Sequence, residues 1–183
     1  MQGTLRTKIE LVTQVVIAIS VVVVAGVVVK RNLFALPANP AGLEQESRAL
    51  IGTALNLPDV DWGQNKQTLV FFLKKDCVYC AASAPFYREV LAAASKRNVK
   101  SLAILPDSED EARKYLQYIG LPIENVQRGS LSSYKISATP TMLLVDDLGL
   151  VKGVWTGAAP NRESQVRDEL FLLFDKTVAP AMH

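Results

Sequence analysis

Thr68-Leu-Val-Phe-Phe-Leu-Lys-Lys-Asp-Cys-Val-Tyr-Cys80 is the stretch on which the reading of this chain turns. Leu69 to Leu73 is a short apolar run, β-branched and aromatic, that ends abruptly in charge at Lys74, the pattern of a buried strand. Cys77 and Cys80 follow, and then Ala-Ala-Ser-Ala, a good helix-forming run. The two cysteines are therefore expected on the first turn of a helix that leaves a central strand. Residues three apart share a helix face, so the two sulfurs can meet in a disulfide. Cys77 lies nearer the positive end of the macrodipole and its unpaired N–H groups, which favour thiolate over thiol. Asp76 opposes that bias, while Lys74 and Lys75 reinforce it. The chemistry suggested is thiol–disulfide exchange.

Composition narrows the alternatives. A chain of 183 residues suits one domain plus an appendage. The net charge of +2, with no basic block, gives no support to nucleic-acid binding. Cys77 and Cys80 are the only cysteines, so there is no structural disulfide framework. The bland readings of the pair are two inert buried side chains or half a zinc site. Zinc wants four ligands and the only histidine is His183, so a complete site within the chain is not available. No cofactor is expected.

The N-terminus speaks to the compartment. Residues 11–29 carry no charge, close to the ~20 apolar residues needed to cross a bilayer core. Core helices rarely stay apolar on every face, so a transmembrane anchor is expected there, after a short tail over residues 1–10. The run is longer than the ~7–15 residues of a signal-peptide core, and Lys30-Arg31 follows it directly, which favours an uncleaved anchor. Basic residues flank both ends, but a very short N-terminal tail usually stays inside, which places the bulk of the chain outside the cytoplasm.

Residues 30–50 read as a linker, with Pro37 and Pro40 opposing a long helix and a short helix from Glu44 to Leu50. The folded domain is expected over 51–178. After the first strand, one helix should run from about Cys77 to Arg97, kinked at Pro85. Val99 to Leu105 is a second buried strand. Ser108-Glu-Asp-Glu111 is a capping box opening a helix to about Ile119, stopped by Gly120. Glu124 to Gln127 is read as a short strand and Ser130 to Lys135 as one or two helical turns. Thr141 to Val145 and Leu150 to Trp155 form a hairpin through Asp146-Asp-Leu-Gly149, whose carboxylates are read as turn residues. Pro160 opens a last amphipathic helix to about Asp175. Trp62 and Trp155 are expected in partial core, and Tyr115 and Tyr118 as surface or packing aromatics. This alternation argues for a mixed sheet with helices on both faces.

Cys77-Val-Tyr-Cys80, Pro85, the segment Ile136-Ser-Ala-Thr139-Pro140-Thr, the Asp-Leu-Gly turn and Trp155-Thr-Gly-Ala come in an order that resembles the thioredoxin fold. The resemblance covers roughly Thr68 to Phe174. The inserted helix–strand unit, about Ser108 to Gln127, together with the anchor, is similar to the TlpA/ResA-like group of extracytoplasmic thiol–disulfide oxidoreductases and also to peroxiredoxins. It implies an α/β, thioredoxin-like fold with a mixed central sheet and that inserted unit, preceded by one transmembrane helix. Thr139-Pro140 looks like the family's cis-proline loop, which would pair with a client segment.

The departures matter. The threonine that peroxiredoxins carry three residues before the peroxidatic cysteine is Lys74 here, which ranks peroxidase below dithiol exchange. The buried thioredoxin aspartate would fall at Phe71, and the acidic residue of some anchored relatives at Ser83. The reading is thus a single-pass, membrane-anchored oxidoreductase with its domain outside the cytoplasm. Cys77 and Cys80 are its catalytic residues, and Thr139 and Pro140 its substrate-binding residues. Its partners would be protein disulfide or dithiol clients and a dithiol electron donor, possibly membrane-embedded. A tethered, redox-inactive binding module is the alternative from another class.

Overall fold

The computed structural model describes residues 40–157 and 162–176, together with Gln14, Ile17 and Ser20, which are helical. Apart from those three residues, the expected tail and span over 1–29, residues 30–39 of the linker and Pro160 lie outside the described residues. Among the described residues no helix is long and apolar enough to cross a membrane. The chain divides into two units, Met1–Pro40 and Ala41–His183, and the fold is that of the second.

Five strands form one sheet: β1 (Gln67–Phe72), β2 (Lys100–Leu105), β3 (Asn125–Arg128), β4 (Thr141–Asp146) and β5 (Val151–Thr156), in the order β3-β2-β1-β4-β5. β2 runs parallel to β1 and β3 parallel to β2, whereas β4 and β5 are antiparallel. The sheet is mixed, as expected, and β1 is its centre. No residue from Leu69 to Leu73 is exposed at all. Alternation then deals Leu69, Phe71 and Leu73 to one face and Val70 and Phe72 to the other.

Those faces are covered differently. Against the first pack α3 (Ala84–Ser95), α4 (Glu109–Tyr118) and α5 (Glu163–Lys176), through Val90 and Leu91, Ala112 and Leu116, and Val166, Leu170 and Phe174. The second is covered by Leu55 and Leu57 from an irregular segment, with Val60, Trp62, Leu131, Tyr134 and Ile136. Its helical pieces among the described residues are two 3₁₀ turns, Trp62–Gln64 and Leu131–Tyr134, and the end of the helix Pro40–Arg48, whose Ser47 hydroxyl meets Thr156. Helices on both faces thus holds only in that reduced sense. The reason is local: Gly52 and Asp59 take positive φ before the first turn, and Lys135, left-handed at φ 57°, ends the second. The irregular segment also lies on the β5 edge, where Gly52 N–H donates to Val151 and Val151 N–H to Thr53.

Two boundaries depart from expectation. α1 spans Pro40–Arg48, inside the stretch read as linker; proline is no obstacle at a first helical position, where its missing N–H has no partner to lose. The single kinked helix after the cysteines is instead two, α2 (Val78–Ala82) and α3, broken at Ser83. Pro85 lies in the first turn of α3, so it starts a helix and does not kink one.

The inserted unit is present as α4 and β3, with β3 at the sheet edge. Ser108 caps α4 as the box predicts: Glu111 N–H donates to its hydroxyl at 3.4 Å, and that hydroxyl donates to the Glu111 carboxylate at 2.9 Å. In the hairpin, Asp146 Oδ1 accepts from the N–H groups of Leu148 and Leu150. Gly149 there has φ +77°, and a Cβ on it would come within 2.8 Å of Trp62.

Candidate active site

β1 delivers the dithiol. Lys74, Lys75 and Asp76 leave its carboxyl end exposed, and Cys77 is the N-cap of α2, extended at φ −92° and ψ 105°. The cap is its own sulfur: Cys77 Sγ accepts from the Cys80 N–H at 3.2 Å. The Cys77 thiol also donates to the Thr139 carbonyl at 3.4 Å. Cys77 is half-buried and Cys80 wholly buried, and both are free thiols.

The loop before β4 closes the site from the other side. Thr139-Pro140 is a cis peptide, and the four residues expected to act together, Cys77, Cys80, Thr139 and Pro140, are brought to one place. Thr139 touches the first sulfur, its carbonyl accepting from Cys77. The loop is held from behind. Thr141 Oγ1 donates to the Ala138 carbonyl at 2.8 Å and lies 3.2 Å from Thr156 Oγ1. Gly157 N–H donates to the Pro140 carbonyl at 2.7 Å.

The two sulfurs stand in opposite surroundings. Around Cys77 the flanking pair Val78 and Tyr79 is open to solvent, at 78% and 67% exposure. Cys80 has none, and burial, followed by the neighbouring Cys77 thiol, pushes its pKa from 9.0 up to about 12. Two buried tyrosines belong to the same cluster as Cys80. Tyr87, on α3, stacks edge-on against Phe71 at 5.2 Å; burial first, then the charge Cys80 would carry, raises its pKa. Tyr115, on α4, is pushed from 10.0 up to about 12 by burial and then by the sulfurs.

The positions where relatives carry a carboxylate hold none. Phe71 is fully buried core, and Ser83 is the buried hinge between α2 and α3. The charged neighbours are instead Asp76, Asp107 and the exposed pair Lys75–Glu111, 3.5 Å apart. Sequence reasoning did not single out Asp107 and treated Tyr115 as packing. Among the described residues no cluster of His, Cys, Asp and Glu could hold a metal ion.

Residues 37–154 match the model of the AhpC/TSA family. This chain belongs to the AhpC/TSA family. As a member of that family it carries a thiol–disulfide oxidoreductase-like redoxin fold with a Cys77–Cys80 pair, within the thioredoxin-like superfamily. No curated protein is a match to this AhpC/TSA sequence. Solved structures of similar fold include a thiol-disulfide isomerase from Corynebacterium glutamicum (TM-score 0.51, 16% identity, covering 71% of this chain and 91% of that one). Another is a thiol:disulfide interchange protein from a Bacteroides species (TM-score 0.50, 19% identity, covering 66% and 85%).

Proposed function

We propose that this protein is a membrane-anchored, extracytoplasmic thiol–disulfide oxidoreductase that reduces client disulfides through Cys77 and Cys80. The observation that carries the reading is the asymmetry of the pair. One sulfur is reachable at a helix start and is hydrogen-bonded by a backbone N–H; its partner is buried three residues on. The Cys77 thiolate attacks one sulfur of a client disulfide, and the other client sulfur leaves as thiolate. Cys80 then attacks Cys77 Sγ, expels the second client sulfur and leaves the Cys77–Cys80 disulfide. Once Cys77 is in a mixed disulfide its proton is gone and the Thr139 carbonyl no longer receives it. That carbonyl then faces the client backbone, as strand-pairing recognition needs. A dithiol donor returns two electrons and two protons to the pair.

The uncharged run over 11–29 supports the anchor.

The test is insulin reduction by the full chain in vesicles, beside Cys77→Ser and Cys80→Ser variants. Cys77→Ser should be inactive and Cys80→Ser should accumulate mixed disulfides with clients. Full activity of Cys77→Ser sinks the exchange reading. Rapid peroxide consumption with a Cys77 sulfenic acid and no insulin reduction would replace it with a peroxidase. Recovery of the chain in the soluble fraction after alkaline washing sinks the anchor alone.

A further inference from the structure

A recess of about 500 Å³ adjoins the cysteine loop without containing either sulfur. It forms at the carboxyl ends of β1, β2 and β3, where Lys74, Pro106 and Arg128 stand at or just past the ends of neighbouring strands. Ligands of open α/β sheets bind outside that edge. The facing wall is the segment 130–136, through Ser130, Leu131, Ser132 and Ile136. Two of the lining residues belong to loops that build the dithiol site. The Lys74 carbonyl accepts from the Cys77 N–H at 3.1 Å, and Ile136 comes three residues before Thr139. Three residues span at most ~11 Å, so the walls at Lys74 and Ile136 lie within that reach of Cys77 and Thr139.

The recess is preformed. Gly129 N–H donates to the Leu105 carbonyl at 2.9 Å, and Ile136 N–H to the Leu131 carbonyl at 3.0 Å. A Cβ on Gly129 would come within 2.8 Å of Ile104 and 2.9 Å of Tyr134, so the wall closes on the sheet only because glycine stands there. Ile136 is buried and Leu131 half-buried, whereas Lys74, Arg128, Ser130 and Ser132 are exposed. The floor is thus apolar and the rim polar. Both charges on that rim are positive, and among the described residues neither Lys74 nor Arg128 meets a carboxylate. Arg128 is held by its Nε, which donates to the Pro106 carbonyl at 3.3 Å, and its terminal N–H groups remain for a ligand. The hydroxyls of Ser130 and Ser132 lie 2.9 Å apart; one bond between them leaves one O–H to donate elsewhere. Asp107 follows Pro106 but is no part of the wall, and its Oδ2 is buried.

We propose that this recess receives an acidic side chain of the client, a glutamate or aspartate about three residues from the cysteine under attack. This deepens the exchange reading and rests on it, giving the same site a sequence preference. The methylenes of the side chain lie on Leu131 and Ile136, and its carboxylate meets Arg128, Lys74 and a serine hydroxyl. A guanidinium suits that role because its parallel donors match the two carboxylate oxygens. Lys75 takes no part: its ammonium is turned toward α4, 3.5 Å from Glu111. Exposed ion pairs are individually weak, so the preference comes from two cations acting on one carboxylate.

The test is the rate at which the reduced full chain, in vesicles of neutral phosphatidylcholine, reduces acetylated and amidated peptides. Each peptide carries one cysteine as its disulfide with 2-mercaptoethanol, and Glu, Gln or Lys three places before or after it. In at least one of the two placements the Glu peptide should react about tenfold faster than the Gln peptide at low salt, and the excess should shrink at high salt. Arg128→Gln should lower that Glu-to-Gln ratio to about two. Arg128→Lys should keep most of it, and Arg128→Glu should turn the preference to the Lys peptide. Lys75→Gln removes an equal charge outside the recess and should change the ratio by less than about twofold. Equal rates for Glu and Gln in both placements overturn the subsite. So does an equal fall of the ratio in Lys75→Gln and Arg128→Gln, the mark of a diffuse field with no seat for the side chain. Failure of every peptide to be reduced overturns the exchange reading, and the subsite falls with it.

Discussion

The two sides of the dithiol differ as a surface differs from a core. On the Cys77 side a half-buried sulfur sits beside the exposed Val78 and Tyr79, against a loop whose carbonyl is within reach. On the Cys80 side a sulfur of zero exposure belongs to the buried apolar cluster that also holds Phe71, Tyr87 and Tyr115. Three residues of sequence separate a group built for collision from one built to be found only by its neighbour. The lesson is one of order: the first bond forms where clients arrive, and the second forms where only Cys77 can reach.

The largest effect that would break this comparison is the loss of disulfide exchange in Cys77→Ser, to the uncatalysed background. Next comes alkylation at pH 8 by iodoacetamide, followed by mass spectrometry. With its pKa near 12, Cys80 holds only about one part in ten thousand as thiolate. Cys77 should therefore be modified at least a hundredfold faster, and equal labelling would show the closed side to be open. Phe71→Ala removes the ring against Tyr87 from the fully buried strand, and should cost about 3–5 kcal/mol in a urea titration.

Alkali gives a gentler probe. The Cys80 pKa is raised on folding, so above about pH 9 the unfolded chain releases a proton that the folded chain keeps. Stability is thus intact below pH 9 and should fall as pH rises toward 12, with Tyr115 adding to the loss from about pH 10. A Cys80→Ala variant should show a shallower decline between pH 9 and 11. An identical decline would mean that Cys80 is not protected. Smallest of all, Ser108→Ala should cost about 1 kcal/mol in the urea titration through loss of the α4 cap.

Much of the open side was legible in the sequence. A short run that is wholly apolar, β-branched and aromatic, and that ends in charge reads as a strand buried on both faces, and Leu69 to Leu73 bear that out. The cysteine spacing, the capping box at Ser108 and the Asp146 turn each rest on contacts within a few residues, which spacing encodes directly. The closed side rests on contacts distant in the chain. Tyr115 reads as one more aromatic on an amphipathic helix until the α4–β1 packing is known. Asp107 reads as part of a polar stretch before a cap. A signal did exist: in a parallel pair, residues just beyond the carboxyl ends of neighbouring strands share a rim, and Asp107 and Asp76 are such residues. The covering of the second face was misjudged because Leu55, Leu57, Val60 and Trp62 show no helical period, yet pack on that face.

Ser47, near the end of α1, is hydrogen-bonded through its hydroxyl to Thr156 at 2.6 Å, and Thr156 to Thr141, which in turn holds the Ala138 carbonyl. Three short hydroxyls thus form a latch between the entrance of the domain and the loop that cradles the sulfurs. Tension applied to the chain upstream of Ser47 is delivered to the paired ends of β4 and β5, where that cradle is anchored.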